Sequence, residues 1–311
     1  AATMVAPSIQ AQTLPAGPVR ILVGFAPGGG TDILARIVAQ KLQTMWGVTV
    51  LVENRAGATG VIAAEAVAKA APDGNTLLMA HINSHALAPA LMPKLSYVVD
   101  RDFTPLTLVG ITPNLLICNN DQPAKTVAEL VAQCKSNPGK VSFGSAGQGS
   151  AQHMALESFK LAAGVDTIHI PYKGSGPMLA DLIGGQIAYS FDTMTAATPH
   201  VKSGKVRAIA QTRAKRASSY PNVPTMIEAG VPGYELTGWH GIAVRAGMPA
   251  PVVQKLNTTL NAIFNDAEFK KKWEAIGTPV VGGTAQQFGE LIRKETTRLG
   301  QVVKNAGVTV D

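Results

Sequence analysis

Charge, aromatic rings and sulfur are all scarce in this chain. Of its 311 residues only 15% are charged and 5% aromatic, and there are two cysteines. The densest basic cluster, Lys270, Lys271 and Lys272, is short, and no aromatic residues interleave with basic ones to stack on bases. No nucleic-acid partner is therefore expected, despite a net charge of +7. A diffuse positive surface of this kind suits capture of small acidic ligands. The six histidines form no His-Glu-x-x-His motif and the cysteines have no metal-ligand spacing, so neither a metal nor a cofactor is expected. No Gly-x-Ser-x-Gly elbow occurs. No run reaches eighteen uninterrupted apolar residues, which argues against a membrane-spanning helix.

Apolar residues, by contrast, make up 46% of the chain, enough for one large or two medium-sized cores. The start, "AATMVAPSIQAQTLPAG", is rich in small residues and carries no charge before Arg20, and Ile9-Gln10-Ala11 resembles a signal-peptidase site. Residues 1–18 are expected to be a signal-peptide remnant and flexible N-terminus, which places the protein in the periplasm. In that oxidising compartment Cys118 and Cys134 either pair or stay free, and both readings stand.

The stretch "RILVGFAPGGGTDIL" runs from a strand-like segment through Pro27, Gly28, Gly29 and Gly30 into a helix-like one. Such a loop lets backbone N–H groups approach an anion at a helix N-terminus. It is no dinucleotide fingerprint, because Ile33 stands where the third glycine belongs, and no P-loop, because the lysine is missing. A tight turn with Thr31 or Asp32 capping the helix is the competing reading.

The same strand, glycine loop, helix rhythm recurs at "VTVLVENRAGATGVIAAEAVAKA", "GKVSFGSAGQGSAQHMALESFK" and "TIHIPYKGSGPMLADLIGG". This alternation predicts α/β architecture with a mostly parallel sheet. The C-terminal amphipathic helices need a sheet to pack on, and the N-terminal one is the candidate. Two lobes follow, with residues 19–104 plus 225–311 forming the first and 105–224 inserted as the second. The chain then crosses between lobes near Thr104–Val109 and Pro221–Thr225. Loops 25–32, 54–60, 81–85, 144–150 and 173–176 are expected to gather at the carboxyl ends of the strands, where open α/β sheets bind ligands. They hold many backbone N–H groups and, apart from Arg55, no arginine.

Six ordered stretches, "ILVGFAPGGGTDILAR", "VENRAGATGVIAAEAVAKAAPDGNTLL", "DFTPLTLV", "GKVSFGSAGQGSAQHMALESFK", "IPYKGSGPMLADLIGGQIAYSFD" and "YPNVPTMIEAG", resemble the Bug family of extracytoplasmic solute receptors of tripartite tricarboxylate transporters. The resemblance runs from Val19 onward. It implies a type II periplasmic-binding-protein fold whose lobes close on a small organic carboxylate, with di-, tri- and aromatic acids all in scope. It further implies a monomer that delivers its ligand to membrane transporter subunits or signals to a sensor kinase. On this resemblance Phe25, Pro27, Gly28, Gly29, Gly30 and Asp32 form the first ligand loop. Arg55, Gly57, Ala58 and Thr59 form the second, and Ser84 with His85 the third. Ser145, Ala146, Gln148, Gly149 and Ser150 form the opposing grip, and Tyr172 and Asp192 are cleft positions.

Each has a plainer alternative. Phe25 is also a plausible strand-end core aromatic. Asp192 either meets the ligand through a bridging donor or anchors the backbone of its lobe. His153, at a helix start, reads as a capping residue, although with Ser145 or Ser150 and Asp192 it spells the letters of a hydrolytic triad. A hydrolase acting on an anionic substrate is thus the alternative to a receptor.

Overall fold

The structure is a computed structural model that describes residues 17–309. The expectation for residues 1–18 therefore lies outside it, except at Gly17 and Pro18. In chain order the elements are β1 (Val19–Val23), α1 (Gly30–Trp46), β2 (Val50–Asn54), α2 (Val61–Ala68), β3 (Thr76–His81), the short α3 (Ala88–Leu91) and α4 (Val99–Asp102), and β4 (Phe103–Asn119). The second part comprises α5 (Val127–Ser136), β5 (Ser142–Ser145), α6 (Ala151–Ala163), β6 (Ile168–Pro171), α7 (Ser175–Ile183), β7 (Tyr189–Thr193), α8 (Met194–Lys202) and β8 (Val206–Gln211). The chain returns through β9 (Thr237–Arg245) to α9 (Ala250–Asn265), α10 (Ala267–Ala275) and α11 (Ala285–Ala306).

Two five-stranded sheets share the 17-residue strand β4. The first runs β2-β1-β3-β9-β4, with β9 antiparallel to both neighbours. The second runs β6-β5-β7-β4-β8, with β4 antiparallel to β7 and β8. Along β4, Phe103 to Pro113 pair with β9, and Asn114 to Cys118 pair with β7. The sheet therefore changes hands within one continuous strand. On the return path, Thr212 O accepts from Leu236 N–H and the Tyr234 hydroxyl donates to Ala155 O, which tie residues 225–236 to the inserted lobe.

The central strands are buried on both faces, as sheets covered by helices require, while the edge strands β2 and β6 are partly exposed. In β1 and β3, Ile21, Val23, Leu77 and Met79 face α1, α9 and α10, where Leu34, Val38, Leu260, Phe264 and Trp273 are fully buried. Leu22, Leu78 and Ala80 take the alternate positions and face α2 and α11. Each such side chain contributes roughly 1.5–3 kcal/mol on burial. Phe288 of α11 lies so close to β9 that a Cβ on Gly241 would overlap its ring, and it meets Trp239 edge-on at 5.4 Å.

Cys118 and Cys134 settle as free thiols, both fully buried. Burial raises both thiol pKa values, that of Cys134 to about 11, so neither is a ready nucleophile. Native protein should show no rapid thiol reaction, and denatured, unreduced protein should titrate two thiols per chain. A melting point that falls on adding reductant would contradict this arrangement.

Candidate functional site

The cleft between the lobes has a narrow inner pocket and a wider outer mouth, joined at Phe25 and Ala146. Sixteen residues line the inner part, and none of them is Lys or Arg. Its positive potential comes instead from the backbone. The N-terminal ends of four helices meet there: α1 through Gly29 and Gly30, α6 through Ala151 and Gln152, α7 through Ser175, and α8 through its N-cap Thr193. Unpaired N–H groups and partial positive charge at such ends favour anions. On α1 and α7 the N-caps are Gly29 and Gly174, which offer no capping side chain and leave the terminal N–H groups to other partners. Asn114 adds a buried side-chain Nδ2 that no protein group accepts from.

The lobes are closed. Ala26 N–H donates to Lys173 O at 2.9 Å, and Ala151 N–H to Asn83 Oδ1 at 3.0 Å. Gly28 packs against Gly176, and a Cβ on Gly176 would overlap the Pro27 carbonyl. The second loop holds Ala58 at φ 44° and Thr59 at φ 49°, two consecutive non-glycine residues in the left-handed region. That conformation costs roughly 1–2 kcal/mol per residue, so the surrounding fold holds this loop in place at the mouth.

Of the residues singled out from sequence, Phe25, Gly29, Gly30 and Ala146 line the inner pocket, and Gly57, Ala58, Thr59, Gln148 and Tyr172 the mouth. Pro27 and Gly28 form the exposed rim of the first loop. The others stand behind the surface. Asp32 accepts from Gly28 N–H, Arg36 and Asn54; burial opposes its ionisation, but these bonds outweigh it and hold the carboxyl below its ordinary range. It braces the glycine loop from beneath. Arg55 pairs with Glu53 at 2.7 Å. Ser84 and His85 bond each other at 2.8 Å, and the His85 ring packs on Phe103 in the core; burial lowers its pKa to about 3. Both lie outside the lining because the chain turns inward at this point through one π-helical turn (Asn83–Leu87).

Ser145, Gly149 and Ser150 belong to the scaffold of the opposing loop. Ser145 Oγ bonds His169 Nε2 at 2.6 Å, Gly149 N–H donates to His153 Nδ1, and Ser150 Oγ caps α6. The His153 and His169 rings stack at 3.8 Å. The triad drawn from sequence is not assembled: His153 Nδ1 is occupied by a backbone donor, and Asp192 Oδ1 accepts from Ser175 Oγ. Asp192 is fully buried, and burial pushes its pKa up to about 6 against the opposing Ser175 bond.

Sequence reasoning did not place at the ligand Thr31, read there only as a cap, nor His81, Asn83, Thr112, Asn114, Gln152, Ser175, Thr193 and His240, which with Ile82, Ala151 and Gly238 complete the inner pocket. A signal existed for His240, a lone polar ring inside the apolar strand "GWHGIAVR". Thr31 and Ser175 lay in loops already marked.

Two predictions follow from this geometry. Gly176→Ala should leave the ligand-free fold intact, since the obstructed contact is between lobes, yet weaken ligand binding by about 1–3 kcal/mol, roughly five- to 150-fold. Calorimetric titration reads it, and unchanged affinity would detach closure from binding. Asp192 has a folded pKa above its ordinary 3.8, so its neutral form is favoured: its contribution is full below pH 4 and is lost as pH rises through about 6. Asp192→Asn keeps the acceptor for Ser175 and removes that loss. Relative to the parent, it should gain on the order of 2–3 kcal/mol between pH 4 and pH 7 in denaturant unfolding.

Residues 34–308 match the family model described as the tripartite tricarboxylate transporter family receptor. Protein BugT of Bordetella pertussis is 37% identical over 304 residues, 97% of this chain and 93% of that protein. Among solved structures, R. palustris Rpa4515 with adipate superposes with a TM-score of 0.92 at 35% identity, covering 95% of this chain and 99% of its own. MatC from Rhodopseudomonas palustris with bound malate gives 0.88 at 33%, covering 93% and 100%. The two lobes on a shared strand are thus the type II periplasmic-binding-protein fold that the motifs led one to expect. The chain belongs to the tripartite tricarboxylate transporter receptor family, to which the Bug proteins also belong.

Proposed function

We propose that this protein is a periplasmic receptor, exported by a signal peptide, that closes its two lobes on a small organic di- or tricarboxylate. It acts as a monomer and passes the ligand to the membrane subunits of a tripartite tricarboxylate-type transporter. The observation that carries this reading is the convergence of four helix N-termini on a closed pocket without Lys or Arg. One carboxylate is held there by backbone N–H groups, Asn114 and the pocket hydroxyls. Phe25 and Tyr172 flank the ligand body at the mouth, opposite the loop of Gly57, Ala58 and Thr59. Adipate and malate in the two related structures support the ligand class. Closure proceeds about β4 and the segment entering β9, with residues 19–104 and 225–311 moving broadly against 105–224. The unassembled triad weighs against hydrolysis.

A thermal-shift screen of mono-, di- and tricarboxylates, aromatic acids included, tests this. A cognate acid at a hundred times its Kd should stabilise the protein by about 2.7 kcal/mol. It should also be recovered chemically unchanged after prolonged incubation. Stabilisation by none of the acids, or conversion of the acid, would overturn the receptor reading.

A further inference from the structure

An anion buried among neutral groups still needs a balancing charge, and the inner pocket has one side chain built to acquire it. His81 and His240 lie directly opposite each other on β3 and β9, with ring centroids 6.2 Å apart, and both line the pocket. Their partners differ in kind. His81 Nδ1 faces Ser84 N–H, a fixed donor, so a proton added there would set two N–H groups against each other. His240 is held at both nitrogens by hydroxyls, Nε2 by Thr31 Oγ1 at 2.9 Å and Nδ1 by Thr112 Oγ1 at 2.8 Å. A hydroxyl donates or accepts by rotating its proton. His240 can therefore gain a proton and keep both hydrogen bonds, with the two hydroxyls then accepting.

We propose that capture of the carboxylate draws one proton into the cleft, held on His240 between Thr31 and Thr112, so that the ligand is bound as a charge-compensated pair. This rests on the receptor reading given above. The groups facing His240 leave it neutral until the ligand arrives. His81 stands across the ladder from β3, with His85 beyond it, and both are buried imidazoles. From α1 comes Thr31, with Asp32 next to it already tied to Arg36. From β4 comes the uncharged Thr112, while Asp192 of β7 stands behind the lining, bonded to Ser175. Burial lowers the His240 pKa to about 4. A carboxylate lodged beside the ring raises an imidazole pKa by roughly 1–3 units. The raised value belongs to the bound state, so affinity should grow as pH falls: a rise of two units gives about fourfold between pH 7.5 and pH 5.5, and a rise of three units about 25-fold.

The test is calorimetric titration with adipate, malate, succinate and citrate at both pH values, in buffers of different ionisation enthalpy, which counts protons taken up per ligand. The Asp192→Asn background removes a further group, buried behind the lining, that can take up a proton. In that background uptake should persist at pH 5.5, and adding His240→Gln, which bonds both threonines but cannot become charged, should abolish it and flatten the pH slope. An NMR titration of the histidine ring protons gives a readout on the unaltered protein: one imidazole pKa should rise on saturation with ligand. Binding without proton uptake, or uptake unchanged by His240→Gln, overturns the proposal and leaves the receptor reading standing. Absence of binding by every acid at both pH values overturns the receptor reading and the proposal with it.

Discussion

On the receptor reading proposed above, holding an anion in a closed pocket whose lining has no Lys or Arg is the constraint that organises this molecule. An unpaired charge in a closed pocket is costly, and the compensation here comes from oriented peptide groups that cannot move away or titrate. Gathering four helix N-termini in one place requires that strands end together, and the two sheets arrange this by sharing β4. Each sheet then directs its strand-to-helix loops at the other. The α1 end arrives from one lobe and those of α6, α7 and α8 from the other, so the full field exists only when the lobes are closed.

Closure also accounts for the glycines. Gly176 sits where a methyl group would strike the Pro27 carbonyl, and Gly30 where one would crowd Thr193. These positions have ordinary φ values, so glycine is required there for space. Gly28, at φ 85°, is required for conformation. A motif that reads as a phosphate loop is thus partly the sealing surface between two bodies. Asp32 shows the same economy of use: an acid close to an anion site, neutralised by Arg36 and occupied by Gly28 N–H, it shapes the loop without opposing the ligand.

What the sequence made legible was what is local. The strand, glycine loop, helix rhythm revealed the two lobes, because Ile21, Leu22 and Val23 alternate between two buried faces and the loops announce themselves by composition. The converging loops could be named because every parallel strand presents its loop on the same side. His240, Thr112 and Asn114 were missed because they enter from β9 and from the middle of β4, positions that no glycine marks. Thr112 meets His240 only through a pairing that spans 128 residues of chain. Ser84 and His85 were placed at the ligand because they follow β3 as the other loops follow their strands. A single π-helical turn sends them into the core instead. Ser145 and Ser150 lie in the right loop, yet their hydroxyls are spent on His169 and on the start of α6.

The choice between bracing and binding turns on which partner a polar group already has. Asp192 is only partly committed: one oxygen accepts from Ser175 at hydrogen-bond geometry, and Thr193 N–H and the Gln152 side chain interact more weakly with the carboxyl. As a carboxylate it would place a negative charge directly behind the lining of the pocket, and burial shifts it toward the neutral acid. As the neutral acid it can keep the Ser175 bond and has a proton for its other oxygen to donate. His240 is the complement, an imidazole whose two hydroxyl partners leave its charge open. An anion in the pocket favours the protonated form of both groups, since one loses a negative charge and the other gains a positive one. On the proposal made above, proton and carboxylate enter the closed cleft together, and the pocket can dispense with a permanent cation because part of its balancing charge arrives with the ligand.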